Sequence, residues 1–217
     1  MAMANAPIEI TTVNDANWLQ ARETLVQAFA DDPVAAHLFP DPSKRPAGMA
    51  HIFQMALRYG TRHGQVDVIQ PAGAVAIWIR PEYARPSWTR LVRAGYLATP
   101  FAVGWSATRR MLRFEHFIES CRLRTLSLPH WYLFSIGVRP GQQGQGLGAA
   151  LLRHGLKRAQ ATSVPCYLET ANARNLPFYQ KHGFRVVGAK RLPTDGPGIW
   201  SLIAGGNRDE RDLGKGL

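Results

Sequence analysis

Residues 131–159 read WYLFSIGV, then RPGQQGQG, then LGAALLRHGLKRA, and this stretch decides the fold. Residues 131–138 are apolar at both alternating sets of positions, the pattern of a strand covered on both faces. Arg139, Pro140 and Gly141 end it, because a proline has no N–H to continue a ladder. In residues 149–159, apolar Leu151, Leu152, Leu156 and Ala159 oppose polar Arg153, His154, Lys157 and Arg158, which is an amphipathic helix. Between strand and helix lie Gly144, Gly146 and Gly148 at alternate positions. A glycine loop feeding a helix start leaves first-turn N–H groups unpaired, with the positive end of the helix dipole behind them. With no side chains in the way, this is a seat for an anion, and phosphate suits it. A plain tight turn would not need alternate glycines, which sacrifice backbone entropy unless something approaches closely.

Two common phosphate loops do not fit. The nucleoside triphosphate loop requires Lys and then Ser or Thr after its last glycine, whereas Ala149 and Ala150 follow Gly148. The dinucleotide fingerprint spaces its glycines G-x-G-x-x-G, and although Glu169 lies near the distance of its acidic residue, the glycines here do not match.

Working outward, residues 15–30 carry helical spacing, and Asp31, Asp32 and Pro33 end the helix. A second helix is predicted over residues 47–59, with Gly60 and Gly64 as stops. Residues 66–70 and 74–80 read as a hairpin of two strands, and residues 165–171 as a further strand. Residues 86–128 read as one or two helices covering the sheet, broken at Gly95, Pro100 and Gly104. The fold class expected is α/β, with one domain over residues 1–204 and a polar, solvated tail over 205–217.

Composition narrows the function. The 217 residues are 46% hydrophobic and 19% charged, globular values that exclude a mostly disordered chain and a small disulfide scaffold. Cys121 and Cys166 have no metal-ligand spacing, so neither a metal site nor a disulfide is expected. No apolar run is long enough to span a bilayer, and the first residues lack the order of a secretory signal; a cytoplasmic protein without a membrane partner is expected. The net charge of +11 would attract a nucleic acid, a membrane surface or a phosphorylated cofactor. From Arg80 to Arg124 there are nine arginines against three acids, but no recognition helix or aromatic-interleaved basic loop accompanies them, so nucleic acid is not the expected partner.

Two motifs resemble the GCN5-related N-acetyltransferase (GNAT) superfamily. Val138-Arg139-Pro140 followed by Gln143, Gly146 and Gly148 is similar to its Val-x-Pro strand end and Gln/Arg-x-x-Gly-x-Gly/Ala loop. Asn172, Tyr179, Gly183 and Phe184 match its Asn-(six residues)-Tyr-x-x-x-Gly-Phe. Residues 167–170 and 174–179, with Ala28 to Asp31 and Pro33, further resemble the puromycin N-acetyltransferase-like bacterial branch. The resemblance covers roughly residues 66–204. It implies the GNAT fold, a mixed sheet of six to seven strands flanked by helices and splayed near Val138 to admit acetyl-CoA. The pyrophosphate would rest on the amides of Gln143, Gly144, Gln145, Gly146, Leu147, Gly148 and Ala149, and the pantetheine arm along Ile136, Gly137 and Val138. Asn172, assisted by Asn175, would contact the same cofactor or else cap a helix.

The chemistry implied is attack of a neutral amine on a thioester. Tyr179 stands where the family places the group that protonates or hydrogen-bonds the leaving sulfur, and the alternative is a core aromatic beside Phe178 and Phe184. The N–H of Val138 or a neighbour is the expected oxyanion donor. Glu169 is the candidate base, since an alkylammonium is almost wholly protonated at neutral pH; a salt bridge to Arg174 is the structural alternative. His130 is a second candidate base, and Cys166 has no histidine placed beside it by the sequence, which favours direct transfer in a ternary complex. Trp78 and Trp200 either wall an acceptor pocket or fill the core. The expected activity is acetylation of a small-molecule primary amine. Alternatives are acetylation of protein amines, a non-catalytic acyl-CoA-binding domain and a nucleic-acid binder, and a homodimer remains open.

Overall fold

The computed structural model describes residues 8–70, 73–126 and 128–205, so the tail expected over 205–217 lies outside the described residues but for Gly205. Helix α1 (Trp18–Ala28) buries Ala21, Thr24 and Leu25, three and four positions apart, against the sheet. Asp32 then does more than stop a helix: its carboxylate accepts the Val34 N–H at 2.8 Å and caps α2 (Pro33–Leu38), with Pro33 in the first turn. Helix α3 (Arg45–His63) runs through Gly60 rather than stopping there. A Cβ at that position would lie 2.7 Å from the Ile77 methyl and 2.9 Å from that of Val66, so Gly60 is the flat spot that lets α3 lie on the strands.

The segment between residues 86 and 128 resolves into α4 (Trp88–Ala94), closed by Gly95 at φ 111°, and the long α5 (Thr99–Thr125), which carries Pro100 in its first turn and a backbone break at Gly104. The strands are β1 (Ile10–Thr12), β2 (Gly64–Ile69), β3 (Ala74–Ile79), β4 (Trp131–Val138), β5 (Cys166–Thr170), β6 (Arg185–Arg191) and β7 (Gly198–Ala204). They form one seven-stranded sheet in the order β1-β2-β3-β4-β5-β7-β6, antiparallel except where β4 meets β5.

Helices α6 (Leu147–Ala161) and α7 (Leu176–Lys181) cover one face, with Leu151 and Leu152 of α6 packed on Trp78, Leu133, Leu168 and Leu202 of the sheet. Helices α1, α3 and α5 cover the other, over Val66, Val68, Val75 and Ile77. Trp78 is core and walls no pocket: it is fully buried, and a Cβ at Gly155 of α6 would fall 2.2 Å from its ring. Trp200 packs partly buried against the same cluster.

The feature that makes the site is a failure of pairing. Strands β4 and β5 pair only at Trp131 with Cys166 and at Tyr132 with Tyr167. Beyond that point they diverge, and the edge of β4 from Leu133 to Val138 has no strand beside it.

Candidate active site

A bulge re-aims β4 within this splay. Its pairing with β3 shifts register between Ile77 and Trp78, which face Ser135 and Leu133, so Phe134 is the extra residue. The Trp131 N–H points toward β5, bonding Pro165 O at 2.9 Å, while the Arg139 N–H points the other way, to Gly73 O at 2.9 Å. Backbone direction alternates along a strand, so Ile136 and Val138 present their N–H and C=O groups to the opening. Without the bulge, odd-numbered residues would do so. Gly137 faces α1 instead, where a Cβ would lie 2.9 Å from that of Ala28. Of the three residues expected along the pantetheine arm, two therefore offer backbone groups and the third admits a helix.

At the end of β4 the loop turns over Gly141, Gly144 and Gly146, at φ 83°, 78° and 81°, where side chains are strained and where a Cβ would meet nothing within 4 Å. Gln143 to Gly146 are exposed, and Leu147 is buried as the anchor. Gly146 caps α6 without any side-chain bond, and the first helical bond runs from Ala150 N–H to Gly146 O. The N–H groups of Leu147, Gly148 and Ala149 thus face outward, as the anion seat requires. Gln143 donates through Nε2 to Val138 O at 3.2 Å, tying the loop to the strand end. A Cβ at Gly148 would lie 3.4 Å from Val138 and 3.7 Å from Phe178, so loop, strand end and α7 converge there.

Tyr179 sits on α7 beside Phe178 and Phe184, with ring centroids 5.2 Å and 5.8 Å away, so the core role is real. Its hydroxyl makes no hydrogen bond among the described residues, which leaves its O–H free to donate to a ligand. Burial holds its pKa well above the phenol range, and the Asp32 carboxylate pushes the same way. Asp32, which follows α1, and Tyr179, packed in the cluster under α6 and α7, are thus close enough for their charges to be coupled. Burial also raises the pKa of Asp32, against the opposing N–H bonds of Val34 and Ala35. Sequence reasoning took Asp32 only as a helix stop; the Asp-Pro pair at a helix start was the available signal.

Asn172 takes the capping role, accepting the Arg174 N–H through Oδ1 at 3.1 Å, which leaves its amide nitrogen for a ligand. Asn175 is half-buried at the start of α7 and makes no side-chain cap. Glu169 projects to the face opposite Tyr179, alongside Tyr167, so the two expected catalytic groups flank the opening from its two sides. The alternative ion pair with Arg174 is not formed; the cation facing Glu169 is Arg122 of α5. Both Glu169 carboxylate oxygens are buried without a hydrogen bond of good geometry. Burial pushes its pKa up to about 7, while Arg122 and the hydroxyls of Tyr132 and Tyr167 favour the charged form.

His130 is a buried residue whose Nδ1 lies 2.8 Å from Leu128 O and whose pKa burial lowers. Burial pushes the Cys166 thiol up to about 12, so it is a poor nucleophile.

Residues 15–184 match the Acetyltransferase (GNAT) family, beginning well before residue 66. An uncharacterized N-acetyltransferase of Schizosaccharomyces pombe is 24% identical over 176 residues, 77% of this chain and 70% of that protein. Among solved structures, the histone acetyltransferase HPA2 and related acetyltransferase of Corynebacterium glutamicum aligns with a TM-score of 0.67 at 24% identity, over 93% of this chain and 98% of that one. The polyamine N-acetyltransferase of Drosophila melanogaster aligns with a TM-score of 0.58 at 14% identity, over 91% and 99%. At such identities these two share the fold; the sequence match over residues 15–184, joined to the splayed sheet and its glycine loop, places the chain in the acetyltransferase (GNAT) family.

Proposed function

We propose that this acetyltransferase uses acetyl-CoA to acetylate a primary amine of a small molecule, by direct attack in a ternary complex. The observation that carries the reading is the open strand edge of β4 ending in an unobstructed glycine cradle at the start of α6. The residues present fit acetyl-CoA. The amides of residues 143–149 would hold its pyrophosphate, the backbone of Ile136 and Val138 its pantetheine amides, and the Asn172 amide nitrogen is free to donate. Acetyl-CoA supplies an activated thioester carbonyl.

The chain supplies the rest. An amine of pKa about 10.4 is neutral in only about one molecule in 2,500 at pH 7, so it must lose a proton nearby. Glu169, with a pKa of about 7 and no carboxylate hydrogen bond of good geometry, is matched to that task. Tyr179 stays protonated because burial and Asp32 both oppose its ionisation. A thiolate of pKa about 8.5 is too weak a base to deprotonate it, so Tyr179 steadies the leaving sulfur by hydrogen bonding rather than by full proton transfer. The N–H of Val138 or Ile136 is aimed into the opening, where an oxyanion would develop.

A small acceptor is favoured over a basic protein tail because a net charge of +11 repels lysine-rich partners. The test is release of CoA from acetyl-CoA across a panel of arylamines, polyamines, amino acids, puromycin and basic peptides. Turnover of small amines supports the reading, and turnover of basic peptides alone overturns the acceptor class.

A further inference from the structure

Among the described residues, Arg122 is a buried cation without a partner. It is 5% exposed, yet its Nε is buried without a hydrogen-bond partner. Among the described residues its guanidinium donates no hydrogen bond, and no carboxylate lies within 4 Å of it. A buried cation normally has a paired anion, since leaving it unpaired is costly. The carboxylates around it are otherwise engaged or set back: Glu115, two turns back on the same side of α5, accepts the Tyr96 hydroxyl, while Glu119, one turn back, and Glu169 stand beyond ion-pair distance.

The position of Arg122 is defined by the splay. Its guanidinium carbon lies 5.0 Å over the ring of Tyr132, the last β4 residue to pair with β5. Tyr132 in turn pairs with Tyr167, their rings 6.1 Å apart, and Glu169 follows two residues on, on the same side of β5. Arg122 and Glu169 therefore border the root of the opening from one face. The floor between them is aromatic. His130 Nε2 and Ser135 Oγ are also buried without partners. With its carbon over the ring and none of its N–H groups hydrogen-bonded among the described residues, the guanidinium has donors left, and their fork matches a carboxylate in shape and charge.

We infer that Arg122 binds an anionic group of the acceptor, so that the substrate class is an amine that also carries a carboxylate: the amine meets Glu169 and the carboxylate meets Arg122. The inference rests on the acetyltransferase reading above and narrows its substrate. It sets this chain apart from enzymes of dicationic amines, because a second positive charge on the acceptor would be driven against Arg122.

The experiment compares kcat/KM, measured by CoA release, for phenylalanine, for its decarboxylated counterpart phenethylamine and for the dication agmatine. The expected order is phenylalanine ahead of phenethylamine by about tenfold to a hundredfold, with agmatine last. In Arg122→Met, which keeps the stem and removes the charge, the ratio of the first two should collapse toward one. Acetyl-CoA binding, followed by thermal shift, checks that the variant is folded, and the parent comparison stands without any variant. Preference for phenethylamine or agmatine in the parent overturns the inference, as does a carboxylate preference that survives in Arg122→Met. No CoA release from any amine overturns the acetyltransferase reading itself, and this inference with it.

Discussion

Burial favours the protonated form of two residues of unlike chemistry, and the consequences differ. Tyr179 is held far above neutrality, so it serves only as a donor. Tyr179→Phe removes the hydroxyl and keeps the ring among Phe178 and Phe184. Turnover should drop about tenfold or more with acetyl-CoA affinity kept, which steady-state kinetics beside a binding titration will read. Glu169 is raised only to about 7, so it changes charge within the working range. Its folded-state value exceeds the unfolded one, so the folded state holds an extra proton between about pH 4.5 and pH 7 and loses stability as pH rises through that window. Glu169→Gln should be more stable than the parent at pH 8 by about 3 kcal/mol, with the difference vanishing near pH 4, in denaturant titrations at both values. The parent's acetylation rate should fall as pH drops through about 7, and Glu169→Gln should be slow throughout.

At the scale of elements, glycines do two opposite jobs. Those of the loop keep space empty: Gly146 has open surroundings and φ 81°. Gly146→Asp places a negative side chain in the seat, and the stabilisation given by acetyl-CoA should disappear in a thermal melt while the fold persists. Binding as tight as the parent's would mean that the cofactor lies elsewhere. Gly155 instead lets α6 come close, since a Cβ there would sit 2.2 Å from the fully buried Trp78 ring. Gly155→Ala should destabilise by about 1–3 kcal/mol, although alanine is the better helix former by about 1 kcal/mol. A melting temperature equal to or above the parent's would show that α6 can shift off the sheet.

For the whole molecule, the parallel contact of β4 and β5 is the hinge of the architecture. Two residue pairs close it, and beyond them β4 and β5 diverge. A ligand lying in that opening would bridge the two halves of the sheet. Acetyl-CoA at about a hundred times its Kd should therefore add about 2.7 kcal/mol to unfolding, and the melting temperature should climb with its concentration.

The sequence alone determined whatever is local. The strand, glycine loop and helix of residues 131–161 were legible because hydrophobic period and glycine spacing are properties of neighbours along the chain. The same holds for the hairpin β2–β3. Gly60 was misread as a stop because its reason lies in Ile77 and Val66, on strands that the helix meets only after folding. The bulge at Phe134 was invisible for a like reason: it is a relation of register between β3 and β4. Arg122 looked like one solvated arginine among nine, and Asp32 like punctuation. Only the tertiary structure buried the one beneath the splay and brought the charge of the other to bear on Tyr179, because burial and charge coupling depend on which distant segments share a space, and pattern along a chain does not encode that.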